Sequence, residues 1–348
     1  METKKWVVDI EGNLSTTYPH IKEAAELLKK NEVIAFPTET VYGLGGNAKE
    51  TEAVNKIFQA KGRPSDNPLI VHIADQAQLQ EFVSTVPTVA QKLMDHFWPG
   101  PLTIILPAIK DVVSERVTAG LSTVGVRMPD HPVALALLKE AGLPLAAPSA
   151  NLSGKPSPTS AKHVWKDLNG RIAGIVDGGI TGVGLESTVI DCTSVPPIIL
   201  RPGGVTKEQI QQVIGEVNID PALTKEDEAP KSPGMKYTHY APQAPLQIFD
   251  GSVTFVQEAV NRSKSSGRKV GVLATDETKQ QYEADVVISC GSRSDLSTIA
   301  NRLYDSLRAF DETDVDIIIS ESFPKTGIGE AIMNRLEKAA TLPIQREE

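Results

Sequence analysis

The segment KGRPSDNPL, residues 61–69, carries two cations at a spacing that could bind phosphates. Lys61 and Arg63 lie two residues apart just past a helical pattern, and Pro64 and Pro68 keep them out of regular structure. Lysine supplies a compact charge and arginine a planar fork, so the pair in a rigid loop would clamp a triphosphate. A solvated loop is the alternative interpretation of the same spacing.

Small polar residues follow short apolar runs at further places. APSAN puts Ser149 and Asn151 on a predicted tight turn at the end of a strand, where open α/β sheets contact ligands. Ser149 lacks the GxSxG context of a hydrolase nucleophile, so a hydrogen bond to a ligand suits it better. The glycines within residues 178–184 and the Pro-Gly-Gly turn after Arg201 would let the backbone approach a ligand closely. Ordinary turn chemistry is the alternative at each place.

His72 and Arg127 each interrupt a short apolar run that has the pattern of a strand. Because each has apolar neighbours on both sides, strand alternation points its side chain to the face opposite theirs. An arginine that faces inward needs an anionic partner. On separate strands, the two residues would offer a ligand carboxylate a basic wall. A histidine satisfied in the core or at the surface, without a ligand, is the alternative for His72.

Alternating strand and helix patterns must position these residues, which predicts a mixed α/β fold. The GLGG at residues 43–46 lacks the full GxGxxG spacing, so a plain turn is predicted there rather than a dinucleotide fingerprint. Helices are predicted near 21–28, 51–60, 131–141, 159–168 and 206–214, with Thr159 and Thr206 as N-caps. Strands are predicted at 33–36, 69–73, 102–106, 123–128, 174–177, 187–192 and 198–200.

The composition changes twice along the chain, which predicts two domains and a linker. Residues 1–214 form the first domain, residues 215–245 the linker, and residues 246–348 a smaller domain. In the smaller domain, β-branched runs separated by helices indicate a Rossmann-like parallel sheet of roughly four strands. The linker segment SPGMKYTHYAP, residues 232–242, concentrates two tyrosines, a histidine and a lysine, which predicts that it contacts something.

Bulk properties restrict the class of protein. With 348 residues, 40% hydrophobic and 23% charged, the chain has the composition of a soluble folded protein of about two domains. No apolar run is long enough to span a bilayer, so a cytoplasmic location is expected. The formal charge of −9 opposes broad binding to nucleic acid. Cys192 and Cys290 are predicted to be buried thiols rather than a disulfide, and two cysteines do not indicate a zinc site.

Taken together, FPTETVYGLG, KGRPSDNPLIVHI, FWPGPLT, VGVRMPDH, APSANLSG, ESTVID and LRPG occur in an order that resembles the YrdC-like family of threonylcarbamoyl-AMP synthases. The resemblance covers about residues 20–210, and the linker with the second α/β domain is similar to the family's longer branch. It implies a twisted mixed sheet with helices in the first domain. It also implies the conversion of L-threonine, bicarbonate or CO2, and ATP with Mg²⁺ to threonylcarbamoyl-AMP and diphosphate.

The resemblance also assigns roles to residues and partners. Other proteins would transfer the threonylcarbamoyl group to the adenosine beside the anticodon of certain tRNAs. The family's K-x-R and S-x-N signatures stand at Lys61, Arg63, Ser149 and Asn151. The threonine contacts would be Thr38 or Thr40, His72, Arg127 and Ser187. The ATP contacts would be Lys61, Arg63, Asn67, Thr123, Ser149, Ser157, Arg201 and Tyr240.

Three alternatives and one hypothesis accompany this assignment. The chain could instead be a double-stranded RNA or tRNA binding module, which the negative charge disfavours, or a carbamoyl-adenylating enzyme, whose extra zinc-finger segments two cysteines cannot build. A purely structural role would leave the basic residues unexplained. The hypothesis is that SPGMKYTHYAP closes over the nucleotide, with Tyr240 on the ligand, because the carbamate and its anhydride are labile in water.

Overall fold

The computed structural model describes residues 2–9, 14–223 and 239–348. These residues form two compact units. The second unit consists of 154–157, 183–185 and 239–348, and the first unit consists of the other described residues. Two short segments that precede the linker in sequence therefore pack with the C-terminal part of the chain.

The first unit is built from helices and short strands. Its helices are α1 (Leu14–Lys29), α2 (Thr51–Lys61), α3 (Thr88–Phe97), α4 (Glu115–Thr118), α5 (Pro132–Ala141), α6 (Ala161–Leu168) and α7 (Lys207–Ile214), with short 3-10 turns at Gln76–Glu81 and Pro221–Leu223. Its strands are β1 (Lys4–Val7), β2 (Ile34–Phe36), β3 (Gly43–Asn47), β4 (Ile70–His72), β5 (Leu102–Pro107), β6 (Thr123–Arg127), β7 (Leu145–Ala146), β8 (Gly174–Asp177), β9 (Thr188–Asp191), β10 (Ile198–Arg201) and β11 (Asn218–Ile219).

These strands form one mixed sheet in the order β1-β8-β2-β3-β7-β4-β6-β5-β9-β10-β11. Strand β4 runs parallel to β6, and β5 runs parallel to β9, whereas β5 and β6 are antiparallel. The predicted mixed α/β fold is confirmed. Each predicted strand of this unit lies within one residue of an observed one at both ends.

Residue alternation on β2 explains how this sheet buries both of its faces. Ile34 and Phe36 belong to a core that includes residues of α1 and α5. Val33 and Ala35 point to the opposite face, where α2 and α3 contribute to a second core. A strand covered on both faces reads as a continuous apolar run, which is why VIAF could be recognised as a buried strand.

The prediction of a plain turn at GLGG is wrong, because these residues form β3 between β2 and β7. A Cβ atom on Gly45 would lie 2.7 Å from the ring of Phe36, and one on Gly46 would lie 3.2 Å from Ile57. The glycines therefore serve close packing within a sheet, a use of glycine that resembles a turn signal in sequence.

The N-cap predictions give one success and one error. Thr206 caps α7, and its hydroxyl accepts a hydrogen bond from the Gln209 N–H in a capping box. Thr159 does not cap α6, because the N-cap lies one residue later than predicted. Ser160 is the N-cap, and its hydroxyl accepts from the His163 N–H.

The second unit contains a parallel sheet in the order β14-β13-β15-β12-β16. Its strands are β12 (Leu246–Asp250), β13 (Val270–Ala274), β14 (Val286–Ser289), β15 (Ile317–Glu321) and β16 (Gln345–Arg346), and its helices are α8 (Val253–Ser265), α9 (Leu296–Phe310) and α10 (Ile328–Ala339), with a 3-10 turn at Lys279–Gln281. The Rossmann-like prediction is confirmed, although the described residues contain one strand more than the four expected, the two-residue β16. No helix in the described ranges is both long and apolar enough to cross a membrane.

Candidate functional site

One face of the first sheet is an open cleft at β4, β5, β6 and β9. Val71 and Val126 point into the core from the other face. Their neighbours His72 and Arg127 are register partners on the parallel strands β4 and β6, so they share the cleft face, as the alternation predicted. The floor of the cleft is lined by Pro68, Leu69, Ile70, Thr103, Ile105, Leu121, Thr123, Gly125 and Val189.

Arg127 is a buried cation beside this floor, with 3% of its surface exposed. Its Nε donates to the Gly100 carbonyl at 3.2 Å, and Nη1 donates to the Thr40 hydroxyl at 2.8 Å. Its Nη2 lies 2.5 Å from a carboxylate oxygen of Glu39. The anionic partner that an inward arginine requires is therefore Glu39, which sequence reasoning missed. The available signal was a lone acidic residue between two threonines in a turn rich in hydroxyl groups.

Thr38 and Thr40 lie in the turn after β2, and the structure distinguishes their roles. The Thr38 hydroxyl donates to the Val41 carbonyl at 2.7 Å and accepts from the backbone N–H groups of Thr40 and Val41. It therefore holds the turn together. The Thr40 hydroxyl lies 2.8 Å from that of Thr38 and accepts from Arg127, so it is the threonine of this turn that is joined to the cation.

His72 is buried, and its Nδ1 lies 3.4 Å from the Ile70 carbonyl. The ring also meets Phe36 edge to face, with centroids 6.3 Å apart. Burial, reinforced by the nearby Arg127 charge, lowers the pKa of His72 to about 3. The imidazole is consequently neutral at physiological pH. The predicted basic wall is therefore wrong for the histidine, and Arg127 supplies the positive charge.

Ser187 and Arg201 come together at the strands β9 and β10. The guanidinium of Arg201 donates to the Ser187 carbonyl through Nε at 3.2 Å and Nη2 at 2.9 Å. The Ser187 hydroxyl lies 2.8 Å from that of Thr103, which is on the cleft floor. A residue assigned to ATP and a residue assigned to threonine are thus direct neighbours.

Lys61 corrects the sequence prediction for KGRPSDNPL, because it is the last residue of α2 rather than part of a loop. The helix ends at Gly62, whose left-handed φ of 61° is one that glycine adopts readily. Lys61 is buried, and its Nζ donates to the carbonyls of Ser149 and, at 2.8 Å, of Asn151. The Ser149 hydroxyl in turn donates to Asn151 Oδ1 at 2.6 Å. The lysine of K-x-R and both residues of S-x-N therefore form one cluster.

Two further residues of KGRPSDNPL are predicted to bind ATP, and they differ in how deeply they are buried. Arg63 follows the helix end and is half-buried. Asn67 is 4% exposed, and its amide nitrogen and oxygen find no hydrogen-bond partner among the residues that the structure describes. Buried amides are normally hydrogen-bonded, so Asn67 has the properties of a ligand contact.

Ser157 and Tyr240 belong to the second unit, unlike the other predicted site residues. Tyr240 is buried at a positive φ of 66°, and its ring stacks on Tyr304 with centroids 5.1 Å apart. The Arg335 guanidinium lies 6.0 Å from the centre of the Tyr240 ring. Most of SPGMKYTHYAP lies outside the described residues, and its predicted closure over a nucleotide stays a prediction.

A mixed α/β fold that buries lysine and arginine side chains against carbonyl and hydroxyl oxygens is typical of an enzyme that binds anionic ligands. Residues 26–203 match the Sua5/YciO/YrdC family, described as "Telomere recombination", and residues 205–341 match the family described as "Threonylcarbamoyl-AMP synthase, C-terminal domain". The chain therefore belongs to the Sua5/YciO/YrdC family, in its two-domain form.

Individual relatives agree with this membership. The chain is 62% identical to the threonylcarbamoyl-AMP synthase of Bacillus subtilis over 340 residues, which cover 98% of both chains. The crystal structure of Pyrococcus abyssi Sua5 complexed with L-threonine is similar with a TM-score of 0.93 and 45% identity, covering 99% of this chain and 100% of that one. Escherichia coli YciO matches 58% of this chain and 96% of its own, with a TM-score of 0.52 and 28% identity.

Proposed function

We propose that this protein is an L-threonylcarbamoyladenylate synthase, which converts L-threonine, bicarbonate or CO2, and ATP to L-threonylcarbamoyl-AMP and diphosphate. The observation that carries the proposal is the full-length similarity to Pyrococcus abyssi Sua5 complexed with L-threonine. The buried Arg127 with its adjacent hydroxyls supports it, because such a site suits the carboxylate and hydroxyl of an amino acid.

The proposed reaction needs no protein nucleophile. Threonine's amine captures CO2 as a carbamate, and a carbamate oxygen then attacks the α-phosphorus of ATP while diphosphate leaves. The protein's task is to position two anionic reactants and to stabilise charge on the phosphates. We assign phosphate binding to Lys61 and Arg63, and the other ATP contacts to Asn67, Thr123, Ser149, Ser157, Arg201 and Tyr240. Lys61, Arg63, Ser149 and Asn151 are the proposed catalytic residues. We assign threonine binding to Thr40, His72, Arg127 and Ser187, with Thr38 holding the turn.

Mg²⁺ enters this proposal as a part of the substrate, carried by the phosphates of ATP. Within the described ranges, no three histidine, cysteine, aspartate or glutamate side chains converge on a common point. The metal would neutralise charge on the leaving diphosphate. The protein's own residues would then act on the nucleotide and the amino acid.

The proposed product is an intermediate for other proteins, which transfer the threonylcarbamoyl group to the adenosine beside the anticodon of tRNA. The cytoplasm is the compartment proposed for this work. Stable binding of tRNA by this chain is not expected, because its formal charge is −9.

Diphosphate release from ATP, measured with and without threonine and bicarbonate, tests the proposal. Release is expected only when threonine, bicarbonate and Mg²⁺ are all present, with threonylcarbamoyl-AMP as the nucleotide product. Release that is independent of threonine would reject the substrate assignment. Retention of tRNA at low salt without any such turnover would favour an RNA-binding module instead.

A further inference from the structure

Glu39 lies in the turn between β2 and β3, with its carboxylate against Arg127. The two side chains are 12% and 4% exposed, and an oxygen of Glu39 is 2.5 Å from Nη2 of Arg127. Across the described part of the chain, however, neither Glu39 oxygen nor this arginine nitrogen has a hydrogen bond of acceptable geometry. Buried polar groups are normally saturated. Here one Glu39 oxygen is ion-paired with Arg127, and the other, which is also buried, has no partner among the described residues.

An α-amino acid has the two groups that would use this capacity. Its ammonium donates hydrogen bonds, which the unpartnered oxygen of Glu39 can accept, and its carboxylate accepts them, which the guanidinium of Arg127 can donate. The Thr40 hydroxyl, which already binds Arg127, is one residue away from Glu39. A simple anion would satisfy the arginine and leave the glutamate unsatisfied, so the pair fits a zwitterion better than an anion.

We propose that Glu39 binds the α-ammonium group of L-threonine and removes the proton that must leave before the nitrogen can attack CO2. This inference rests on the proposed function. None of the residues assigned to threonine above is suited to take up the proton. Thr40 and Ser187 offer only hydroxyl groups, Arg127 is a permanent cation, and burial beside that cation opposes protonation of His72. Glu39 would therefore be both a specificity residue for the amine and the general base of carbamate formation.

The step balances without any further reactant. The Glu39 carboxylate accepts one proton from the ammonium, which leaves a lone pair on the nitrogen. That pair forms the N–C bond to CO2 while one C=O pair moves onto oxygen, and the nitrogen loses its second proton to solvent. Glu39 returns its own proton to solvent when the product leaves. The net products are a carbamate and two protons from one ammonium group and one CO2.

Among the described residues, charged and titratable groups on three elements surround Glu39. Arg127 on β6 is the direct partner, and His72 on β4 stands beside that arginine. His131, which caps α5, also interacts electrostatically with Glu39, and burial lowers its pKa. His72 is thus neutral at physiological pH, and burial favours the neutral form of His131.

A threonine analogue without the amine tests the binding role. Glu39→Gln keeps the shape of the side chain and removes its charge. Calorimetry should show that wild type prefers L-threonine over 3-hydroxybutyrate of the same C3 configuration, and that Glu39→Gln reduces this preference by about 10-fold or more. Equal weakening of both ligands would overturn the proposal, since it would mean that Glu39 only positions Arg127.

The pH dependence of turnover tests the role as a base. In Glu39→Gln, kcat should fall by about 10²-fold to 10³-fold near neutral pH. It should then rise with pH over the range in which free threonine loses its ammonium proton, because the variant depends on pre-formed amine. Wild type should change little over this range. A variant profile parallel to that of wild type would contradict the proposal.

Two controls separate this inference from its foundation. Glu32→Gln removes a surface carboxylate that pairs with Lys56, and it should match wild type in both experiments. Failure of wild type itself to require threonine would refute the proposed function, whereas normal wild-type turnover with an unaffected Glu39→Gln would refute this inference alone. If Glu39→Gln does not fold, Glu39→Asp takes its place. Because Glu39→Asp keeps a carboxylate on a shorter side chain, its pH profile should match that of wild type while its kcat is lower. An unchanged kcat in Glu39→Asp would count against the proposal.

Discussion

Each unit of the molecule buries a glutamate next to an arginine, and the two pairs are completed in different ways. In the second unit, Glu321 accepts hydrogen bonds from Arg293 at 2.6 Å and from the Tyr282 hydroxyl at 2.8 Å. In the first unit, Glu39 touches Arg127 without a well-formed hydrogen bond. A saturated network stabilises its own fold, whereas an unsaturated pair retains the capacity to bind a ligand.

The location of Glu321 makes this difference instructive. It ends β15, in the interior of the parallel sheet, and the carboxyl ends of such strands are where open α/β folds commonly bind ligands. The second unit fills this place with its own side chains. Thr278 also donates to Glu321, and burial together with the Glu321 charge raises the pKa of Tyr282. A position at the carboxyl end of a strand therefore does not by itself define a ligand-binding site. Buried polar atoms without a hydrogen-bond partner are the better criterion for such a site.

Lys61 is an exception to the contrast between saturated and unsaturated charged groups. It belongs to the candidate site, yet its ammonium group is hydrogen-bonded to protein oxygens. Lys61→Ala should lower turnover by about 10³-fold, since the charge that we propose to bind phosphate is lost. It should also lower the free energy of unfolding by about 3 kcal/mol, because the buried carbonyls of Ser149 and Asn151 lose a charged donor. Diphosphate release and urea unfolding measure the two effects.

Lys56→Ala, on the same helix, is the matched control. This lysine forms partly exposed ion pairs with Glu32 and Glu52, so its removal should cost less than about 1 kcal/mol and leave turnover unchanged. Full activity in Lys61→Ala would mean that the lysine is only structural.

Arg127→Ala tests the unsaturated pair. The KM for threonine should rise by about 100-fold, because a charge-assisted contact to the carboxylate is lost, while the KM for ATP should change by less than about threefold. Steady-state kinetics with each substrate varied in turn measures this division. Arg116→Ala, at an exposed position, is the control and should leave both constants unchanged. A loss of ATP affinity as large as that of threonine would contradict the assigned roles.

Glu321→Gln tests the saturated network. The second unit should lose about 2 kcal/mol of stability, since hydrogen bonds to a buried charge become weaker, and threonine affinity should not change. Hydrogen exchange of the backbone amides in β13 and β15 reports the stability of this unit. Glu258→Gln, which removes an exposed i,i+4 ion pair with Arg262, should have no more than about 0.5 kcal/mol of effect. A substantial loss of threonine binding in Glu321→Gln would break the comparison.

His72 should produce the smallest effect, through the pH dependence of stability. Its pKa is lower in the folded protein, at about 3, so the unfolded chain takes up a proton more readily as the pH falls below about 6.5. The free energy of unfolding should therefore decrease by about 1.4 kcal/mol between about pH 7.5 and pH 5.5 on account of this residue.

Tryptophan fluorescence can follow this effect in the first unit alone, because all three tryptophans lie in residues 6–165 of that unit. The control is His72→Gln, in which this part of the pH dependence should vanish. An identical pH dependence in wild type and variant would show that the imidazole does not stay neutral on folding.

The sequence predicted the sheet better than it predicted the site. Strands such as residues 102–107 and 174–177 follow from β-branched runs, because a strand buried on both faces selects those residues locally. Cleft-facing His72 and Arg127 could be predicted for a similar reason, since alternation depends on immediate neighbours. The GLGG strand could not be predicted in this way, because its glycines are required by close packing against Phe36 and Ile57, which lie on other elements.

Long-range pairing explains the other errors. Glu39 and Arg127 are 88 positions apart in sequence, and so are Lys61 and Ser149. No local pattern connects such residues, so the sequence does not reveal the role of Glu39 and it predicts a loop position for Lys61. The protonation state of His72 was likewise hidden, because burial rather than sequence spacing sets its pKa.

The two cysteines are buried and unpaired, as predicted, and this has a practical consequence for labelling chemistry. Burial raises the pKa of both Cys192 and Cys290 to about 12, so only on the order of one thiol in 10⁵ is ionised at neutral pH. The native chain should therefore react slowly with maleimides and oxidants. A cysteine introduced at Val7, which is 61% exposed, should react far ahead of both native thiols, giving a specific attachment point for a fluorophore without removal of either native residue.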